Sequence, residues 1–421
     1  LKLDFLYEFI TPIVKITKGK KYKYFYRLED YVKWKNNSDT KGFFIKYYKG
    51  LGTIEPKESK RFFKNINKHL IRFNYKDEEK TKDLIDLAFN KNRAKNRKKW
   101  LLEYNPKKQI DKFTSKTTID KFINDEFIEY SMADNIRSIP SVIDGLKPSQ
   151  RKILYTMIIK KYKNEIKVSQ LSGSIIDKSA YHHGPESLEQ SVIGMAQDFV
   201  GSNNINLLEP NGQFGTRITG GKDSSASRYI FTKLNKITNI IFDYRDNEIL
   251  KYNYDDGKKI EPEYYIPIIP MILVNGAKGI GTGYSTEIPQ FKPSEIIKYY
   301  ENKLKNKKNN IIKPWYKNFK GEIKWDEENN KYVSYGVYQK LNAATIRITE
   351  LPIRTWNDKY FNFLDKLIDE KVIKDYTKNC TDTEIDITIN VGKNQLQKIE
   401  NIEKTFNLTS NISMNNFNAL D

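Results

Sequence analysis

Gly215-Thr216-Arg217-Ile218-Thr219-Gly220-Gly221-Lys222-Asp223-Ser224-Ser225-Ala226-Ser227-Arg228-Tyr229 is the stretch on which the reading of this chain turns. Its glycines let backbone N–H groups approach a phosphate closely, and Arg217, Lys222 and Arg228 add charge that can pair with one. It lacks the Gly-Lys-Ser/Thr ending of a nucleotide P-loop, which argues against ATP binding at this point. The wider segment Asn203–Tyr229 is rich in Gly, Ser, Asn and Thr, the composition of a long structured loop. Such loops inside compact domains are functional or disordered. Tyr229 is one of 28 tyrosines, so only its place in this loop can single it out.

Upstream of the loop the pattern is helical. Thr118 can cap a helix carrying Ile119, Phe122, Ile123, Phe127 and Ile128, and Pro148 opens another through Arg151, Ile153, Leu154 and Met157. Ser169–Ser179 and Pro185–Phe199 read as two more, with Pro185 and Glu186 suited to a first turn. Short helices joined by tight turns in a basic context predict a helix-turn-helix or winged-helix module. Downstream, Met271-Ile272-Leu273-Val274 reads as a buried strand, Gln290–Val391 as a mixed α/β region, and Lys393–Phe406 as a new polar helix. At the start, Tyr7–Ile16 and Lys23–Tyr26 flank Gly19-Lys20 and predict a hairpin, followed from Pro56 to Tyr104 by basic helices. The run Asn92–Lys99 suits either a solvated helix face or DNA contact.

The bulk numbers set limits. A chain of 421 residues predicts two to four domains, and 38% hydrophobic content is enough for real cores. A net charge of +20 attracts polyanions, of which duplex DNA is the densest common one. Lysine- and asparagine-rich filler such as Lys305–Asn310 accounts for part of that charge. One cysteine, Cys380, excludes a disulfide framework or a Cys-based zinc site within the chain and points to a reducing interior. No apolar run reaches the roughly 18 residues of a membrane span, and no secretory leader opens the chain. A first residue of Leu1 rather than Met suggests a fragment.

Two further islands carry chemistry. In Tyr181-His182-His183-Gly184, adjacent histidines stand directly before a helix start, where an imidazole can donate to phosphate or shuttle a proton; a core role is the alternative. In Asp134-Asn135-Ile136-Arg137-Ser138-Ile139-Pro140 and Asp144-Gly145-Leu146-Lys147-Pro148-Ser149-Gln150-Arg151-Lys152, four cations lie across a break between helices, placed to straddle a backbone or simply solvated.

These islands, with Tyr48-Lys49-Gly50-Leu51-Gly52-Thr53, Asn211-Gly212-Gln213-Phe214-Gly215 and Val274-Asn275-Gly276-Ala277-Lys278-Gly279-Ile280-Gly281, occur in an order that resembles the breakage-reunion region of type IIA DNA topoisomerases, eukaryotic type. The resemblance implies an α+β multidomain fold. Its expected parts are the tail of a toprim α/β domain with a basic helical linker (1–104), a winged-helix domain (105–270), a mixed α/β tower domain (271–392) and the start of a coiled-coil helix (393–421). It implies Tyr229 as the nucleophile that forms a 5′-phosphotyrosyl link, and Arg228 as the neighbour that stabilises the charged transition state. A phenol ordinarily titrates near pH 10 and becomes a nucleophile at neutral pH where cations favour its phenolate. His183, with His182 beside it, matches a histidine that donates to the scissile phosphate. Arg137, Lys147 and Arg151 match positions that grip DNA; Lys49, Arg217 and Lys222 are further DNA-binding candidates, and Ile280 matches a wedge between bases.

The family's Glu-Gly-Asp and Asp-x-Asp-x-Asp-Gly metal blocks are absent here, and Asp382 and Asp386 do not replace them. The expectation is therefore a DNA-binding and gate part that holds no metal, drawn from an enzyme using Mg2+ and ATP, acting on double-stranded DNA as a homodimer and inactive alone. The nucleus is the expected location, with a viral replication site as the alternative. Competing readings are a non-catalytic architectural DNA binder, a metal nuclease and the bacterial gyrase-like subtype.

Overall fold

The computed structural model describes residues 6–48, 51–74, 77–105, 116–255, 257–393 and 395–421, and its contacts divide between two compact units, 1–133 and 134–421. In the first unit β1 (Tyr7–Phe9) precedes the expected hairpin of β2 (Val14–Lys18) and β3 (Lys21–Phe25). Alternation buries Val14 and Ile16 on one face of β2. After α1 (Leu28–Asn37), β4 (Phe44–Tyr47) pairs with β2. The basic stretch forms α2 (Pro56–Lys64), β5 (Leu70–Asn74), α3 (Glu78–Phe89) and α4 (Ala94–Leu102). Glu58 of α2 is buried. Burial alone would raise its pKa, but Lys15 Nζ at 2.5 Å and Tyr48 Oη at 2.7 Å hold the carboxyl down at about 2.

β6 (Lys116–Thr118) pairs in parallel with β5, and β1 takes the other edge of β5. Thr118 accepts from the Lys121 N–H at 3.2 Å, the cap expected of it, and α5 (Ile119–Lys121) runs through a π-helical turn, Phe122–Phe127, into α6 (Ile128–Ser138). Trp100 Nε1 donates to Asn124 Oδ1 at 2.8 Å. The strand pair and this bond keep residues 116–133 in the first unit, so the boundary falls at 133/134 rather than the expected 104/105. Part of the basic run is committed locally. Arg93 pairs with Asp83 and Asp86, and Arg97 donates to the Leu87 and Asn90 carbonyls.

The second unit contains the expected helices, α7 (Pro148–Lys160), α8 (Val168–Ser179) and α9 (Pro185–Ala196), with the strands β7 (Ile166–Lys167), β8 (Leu208–Asn211) and β9 (Phe231–Leu234) in the order β7-β9-β8. Leu154, Val168, Leu171, Ile175, Leu188 and Val192 have no more than trace exposure and knit the three helices together. Three helices with a small antiparallel sheet make a winged-helix arrangement. α10 (Thr238–Ile241) and the hairpin β10 (Tyr252–Asp255) and β11 (Lys258–Pro262) follow. Met271–Val274, read from sequence as a strand, is one helical turn, α11, closed by Asn275 N–H to Met271 O at 3.0 Å. A four-residue apolar run has too few positions to separate the two periods.

β12 (Ala277–Ile280) and β13 (Ser285–Ile288) form a hairpin, and α12 (Pro293–Leu304) follows. β14 (Glu322–Asp326), β15 (Lys331–Tyr335), β16 (Val337–Lys340), β17 (Thr345–Glu350), α13 (Asn357–Asp369), β18 (Asp375–Lys378), β19 (Ile387–Asn390), α14 (Ile402–Thr405) and β20 (Thr409–Ile412) complete the chain. They give two antiparallel sheets, β14-β15-β20 and β16-β17-β19-β18. Inward Ile346, Ile348, Ile387 and Ile389 pack beneath α13 around Tyr360 and Leu364. The coiled-coil start expected at 393–421 is not formed: the segment makes a 3-10 turn, α14 and β20, and Leu420 bonds to Pro140 and Val142. Ile402, Phe406, Leu408 and Ile412 are all buried, at spacings of four and then two, which fold back rather than extend. Among the described residues no helix is long and apolar enough to cross a membrane.

Candidate active site

The loop between β8 and β9 ends against the first turn of α8. Val168 N–H bonds to Ile230 O at 3.1 Å, Ser169 N–H to Ser227 O at 3.2 Å, and Tyr229 N–H to Ala226 O at 2.9 Å. These bonds fix the backbone while leaving the Tyr229 side chain 65% exposed. The Arg228 guanidinium lies 4.8 Å from the centre of the Tyr229 ring. A cation at that distance is placed to meet negative charge developing on or near the phenol oxygen.

Upstream, the loop is tied to itself. Asp223 accepts from Thr216 N–H at 2.9 Å, Thr216 Oγ1 at 2.6 Å and Thr219 Oγ1 at 2.6 Å. Burial works against its charge, but these donors hold the carboxyl below the usual range. Gln197, at the end of α9, donates Nε2 to Phe214 O and Gly221 O at 2.9 and 3.1 Å. Sequence reasoning passed over both residues; two threonines before an aspartate in a Gly-rich loop were the available signal.

The candidate DNA contacts divide into outward and inward groups. Arg137 and Lys222 are exposed. Arg217 and Arg151 are not, which corrects the expectation that they grip DNA. Arg217 is 5% exposed and ion-paired with Glu350. Arg151 is 7% exposed and donates to both Asp144 oxygens at 2.7 and 3.1 Å, and to Leu146 O at 3.0 Å. Each guanidinium completes a buried carboxylate that would otherwise be uncompensated. Lys147 reaches the hairpin instead, donating Nζ to Lys278 O at 2.7 Å, and desolvation lowers its pKa. Lys49 lies outside the described residues.

His182 and His183 are exposed beyond the other end of α8, so about 18 Å of helix separates them from the Tyr229 loop within one chain. His182 Nε2 lies 2.7 Å from Asp255 Oδ2. The Tyr181 ring packs edge-on against His183 at 5.5 Å. Partial burial, with the positive charges of Arg137 and His182, holds the His183 pKa below the ordinary histidine value.

Ile280 ends β12 with 77% of its surface exposed. Its turn is braced on α6: Asn135 Nδ2 donates to Thr282 O at 3.0 Å and Thr282 Oγ1 to Asp134 Oδ2 at 2.9 Å. A Cβ at Gly279 would meet Ser138 O at 2.0 Å, and one at Gly281 would meet Asn135 Oδ1 at 2.2 Å, so this close approach needs glycine on both sides of the isoleucine. Among the described residues no group of three or more His, Cys, Asp or Glu side chains is arranged to hold a metal ion.

Comparison with known proteins matches residues 137–421 to the DNA gyrase/topoisomerase IV family, and residues 9–135 to the C-terminal associated domain of TOPRIM. The chain is 45% identical over 441 residues to DNA topoisomerase 2 of Bombyx mori, which covers 100% of this chain and 28% of the relative. It is 46% identical over 425 residues to DNA topoisomerase 2 of Plasmodium falciparum (isolate K1 / Thailand), covering 99% of this chain and 30% of that one. The chain thus spans under a third of these relatives. The crystal structure of the Plasmodium falciparum topoisomerase II DNA-binding, cleavage and re-ligation domain superposes with a TM-score of 0.84 at 46% identity, over 99% of this chain and 57% of that one. The first family match covers nearly the whole of the second unit, and the chain belongs to the type IIA DNA topoisomerases.

Proposed function

We propose that this chain is the DNA-binding and cleaving part of a type II DNA topoisomerase that passes one duplex through a transient break in another. The carrying observation is Tyr229, exposed on a loop whose backbone is pinned to α8 and covered by the Arg228 guanidinium. Tyr229 Oη attacks a DNA phosphorus, the P–O3′ bond breaks, the phenol proton is lost, and the 3′ oxygen leaves and takes up a proton. The 5′ phosphate stays on the tyrosine, and the reverse attack by the 3′ hydroxyl reseals the strand. Arg228 offsets the charge of the transition state, and His183 donates to a phosphate. Arg137 and Lys222 hold the backbone, and Ile280 enters the base stack to bend the duplex.

Double-stranded DNA and a second copy of the chain are the proposed partners, with Mg2+ and ATP serving the whole protein. The described residues do not fit a metal site, and no step here runs through one. The nucleus is the proposed location; one relative is named DNA topoisomerase 2, mitochondrial.

The test is covalent trapping in the full-length protein with end-labelled duplex. The parent should give a denaturant-stable adduct on the 5′ side of the break, and Tyr229→Phe none. Persistence of the adduct in that variant, or cleavage products free of protein, would overturn the reading.

A further inference from the structure

The second face of the tyrosine loop rests on the sheet and helix that follow it by more than 100 residues. Arg217 reaches from the loop to Glu350, the last residue of β17. Strand alternation accounts for the carboxylate's place: Ile346, Ile348 and Glu350 all point inward, and the third inward position is charged. Glu350 also accepts from Leu351 N–H at 2.9 Å and Lys320 N–H at 3.2 Å, so it is fully engaged on the sheet side. Asp358 N–H, in the first turn of α13, bonds to Ile218 O at 3.1 Å. The Trp356 indole fills the space over Gly220, where an added Cβ would lie 2.4 Å from the ring and where φ is +73°. Phe199 packs edge-on against the same indole at 5.8 Å.

Four contacts of different kinds therefore join residues 217–220 to residues 350–358, nine positions or more before Tyr229. None touches the phenol. We propose that Arg217, Glu350 and Trp356 are positioning residues that latch the tyrosine loop to the β17–α13 corner, so that movement of this corner sets whether Tyr229 is presented to DNA. The proposal rests on the nucleophilic role given to Tyr229. It makes the second sheet region part of the cleavage machinery rather than a spacer, and it replaces the phosphate role expected for Arg217. Displacing a reacting group by about an ångström through a remote contact costs up to roughly 100-fold in rate.

The test uses the full-length protein with Trp356→Ala, Trp356→Phe and Glu350→Gln. Three quantities are read: hydrogen exchange across residues 213–229 and α7–α9, duplex affinity, and the single-turnover rate of adduct formation. Trp356→Ala and Glu350→Gln should speed exchange in the loop but not in α7–α9. They should slow adduct formation by roughly 10- to 100-fold, with duplex affinity within about twofold of the parent. Trp356→Phe, which keeps an aromatic face over Gly220, should recover most of the rate. Unchanged loop exchange, exchange that rises equally in α7–α9, or a loosened loop with an unchanged adduct rate would each overturn the latch. Tyr229→Phe separates the two claims. An adduct that survives there removes the nucleophile, while loop exchange in the other variants still decides whether the latch exists.

Discussion

His183 shows how a side chain can be exposed and still strongly conditioned by its neighbours. Partial burial, Arg137 and His182 disfavour its imidazolium, so the ring is neutral at pH 7 in the free protein. A depressed pKa means the folded chain binds fewer protons than the unfolded one between the two values. His183 therefore costs stability as pH falls below the unfolded value of about 6.5. A DNA phosphate beside the ring adds a negative charge and opposes the two cations, so the bound pKa is higher than the free one and binding takes up a proton. Duplex affinity should strengthen by about 2- to 5-fold between roughly pH 7.5 and pH 6, short of the tenfold per unit that one proton allows. His183→Gln should flatten that dependence while His182, held at Asp255, stays in place. Fluorescence anisotropy at constant salt is the measurement. A variant with the parent's pH profile would remove His183 from the phosphate.

Elements were legible in proportion to their length and to the locality of their contacts. The helices from Pro148 to Ala196 could be read because apolar spacing, a first-turn proline and left-handed ends at Lys161 and Ala180 all act within a few residues. Met271–Val274 and the segment after Val391 could not, because a short apolar run takes its conformation from what it docks on. The wedge lies between these cases. Gly279-Ile280-Gly281 announces an exposed turn, but the reason for both glycines is Asn135 and Ser138, some 140 positions away. Asp134 and Asn135, read from sequence as part of a backbone-gripping block, brace the hairpin instead. Ile280→Ala should therefore lower the bend of a doubly labelled duplex measured by energy transfer, because the side chain that offsets unstacking is gone. Asn135→Ala keeps the isoleucine but removes its support, and should give a smaller loss of bend and a broader distribution of transfer efficiencies. Equal bending by both variants and the parent would show that the hairpin does not enter the stack.

At the scale of the whole molecule, a charge of +20 says that DNA is attracted but not which cations meet it. Arg137, Arg151, Arg217 and Lys222 look alike in sequence. Whether an arginine turns inward depends on a carboxylate that needs it, and those partners, Asp144 and Glu350, lie 7 and 133 positions away. Charge-removing substitutions should consequently sort into two classes. Arg137→Ala and Lys222→Ala take away exposed cations. Each should weaken duplex binding, lower the slope of log affinity against log salt by about 1, and leave thermal stability close to the parent's. Arg151→Ala and Arg217→Ala instead strand a buried carboxylate, at a cost of about 3–5 kcal/mol, so melting should fall sharply in both. Measured below their melting temperature, the salt slope should stay at the parent's value, because no phosphate contact has been lost. A drop of about 1 in the slope for Arg217→Ala, with melting unchanged, would mean that this guanidinium leaves Glu350 to hold DNA after all.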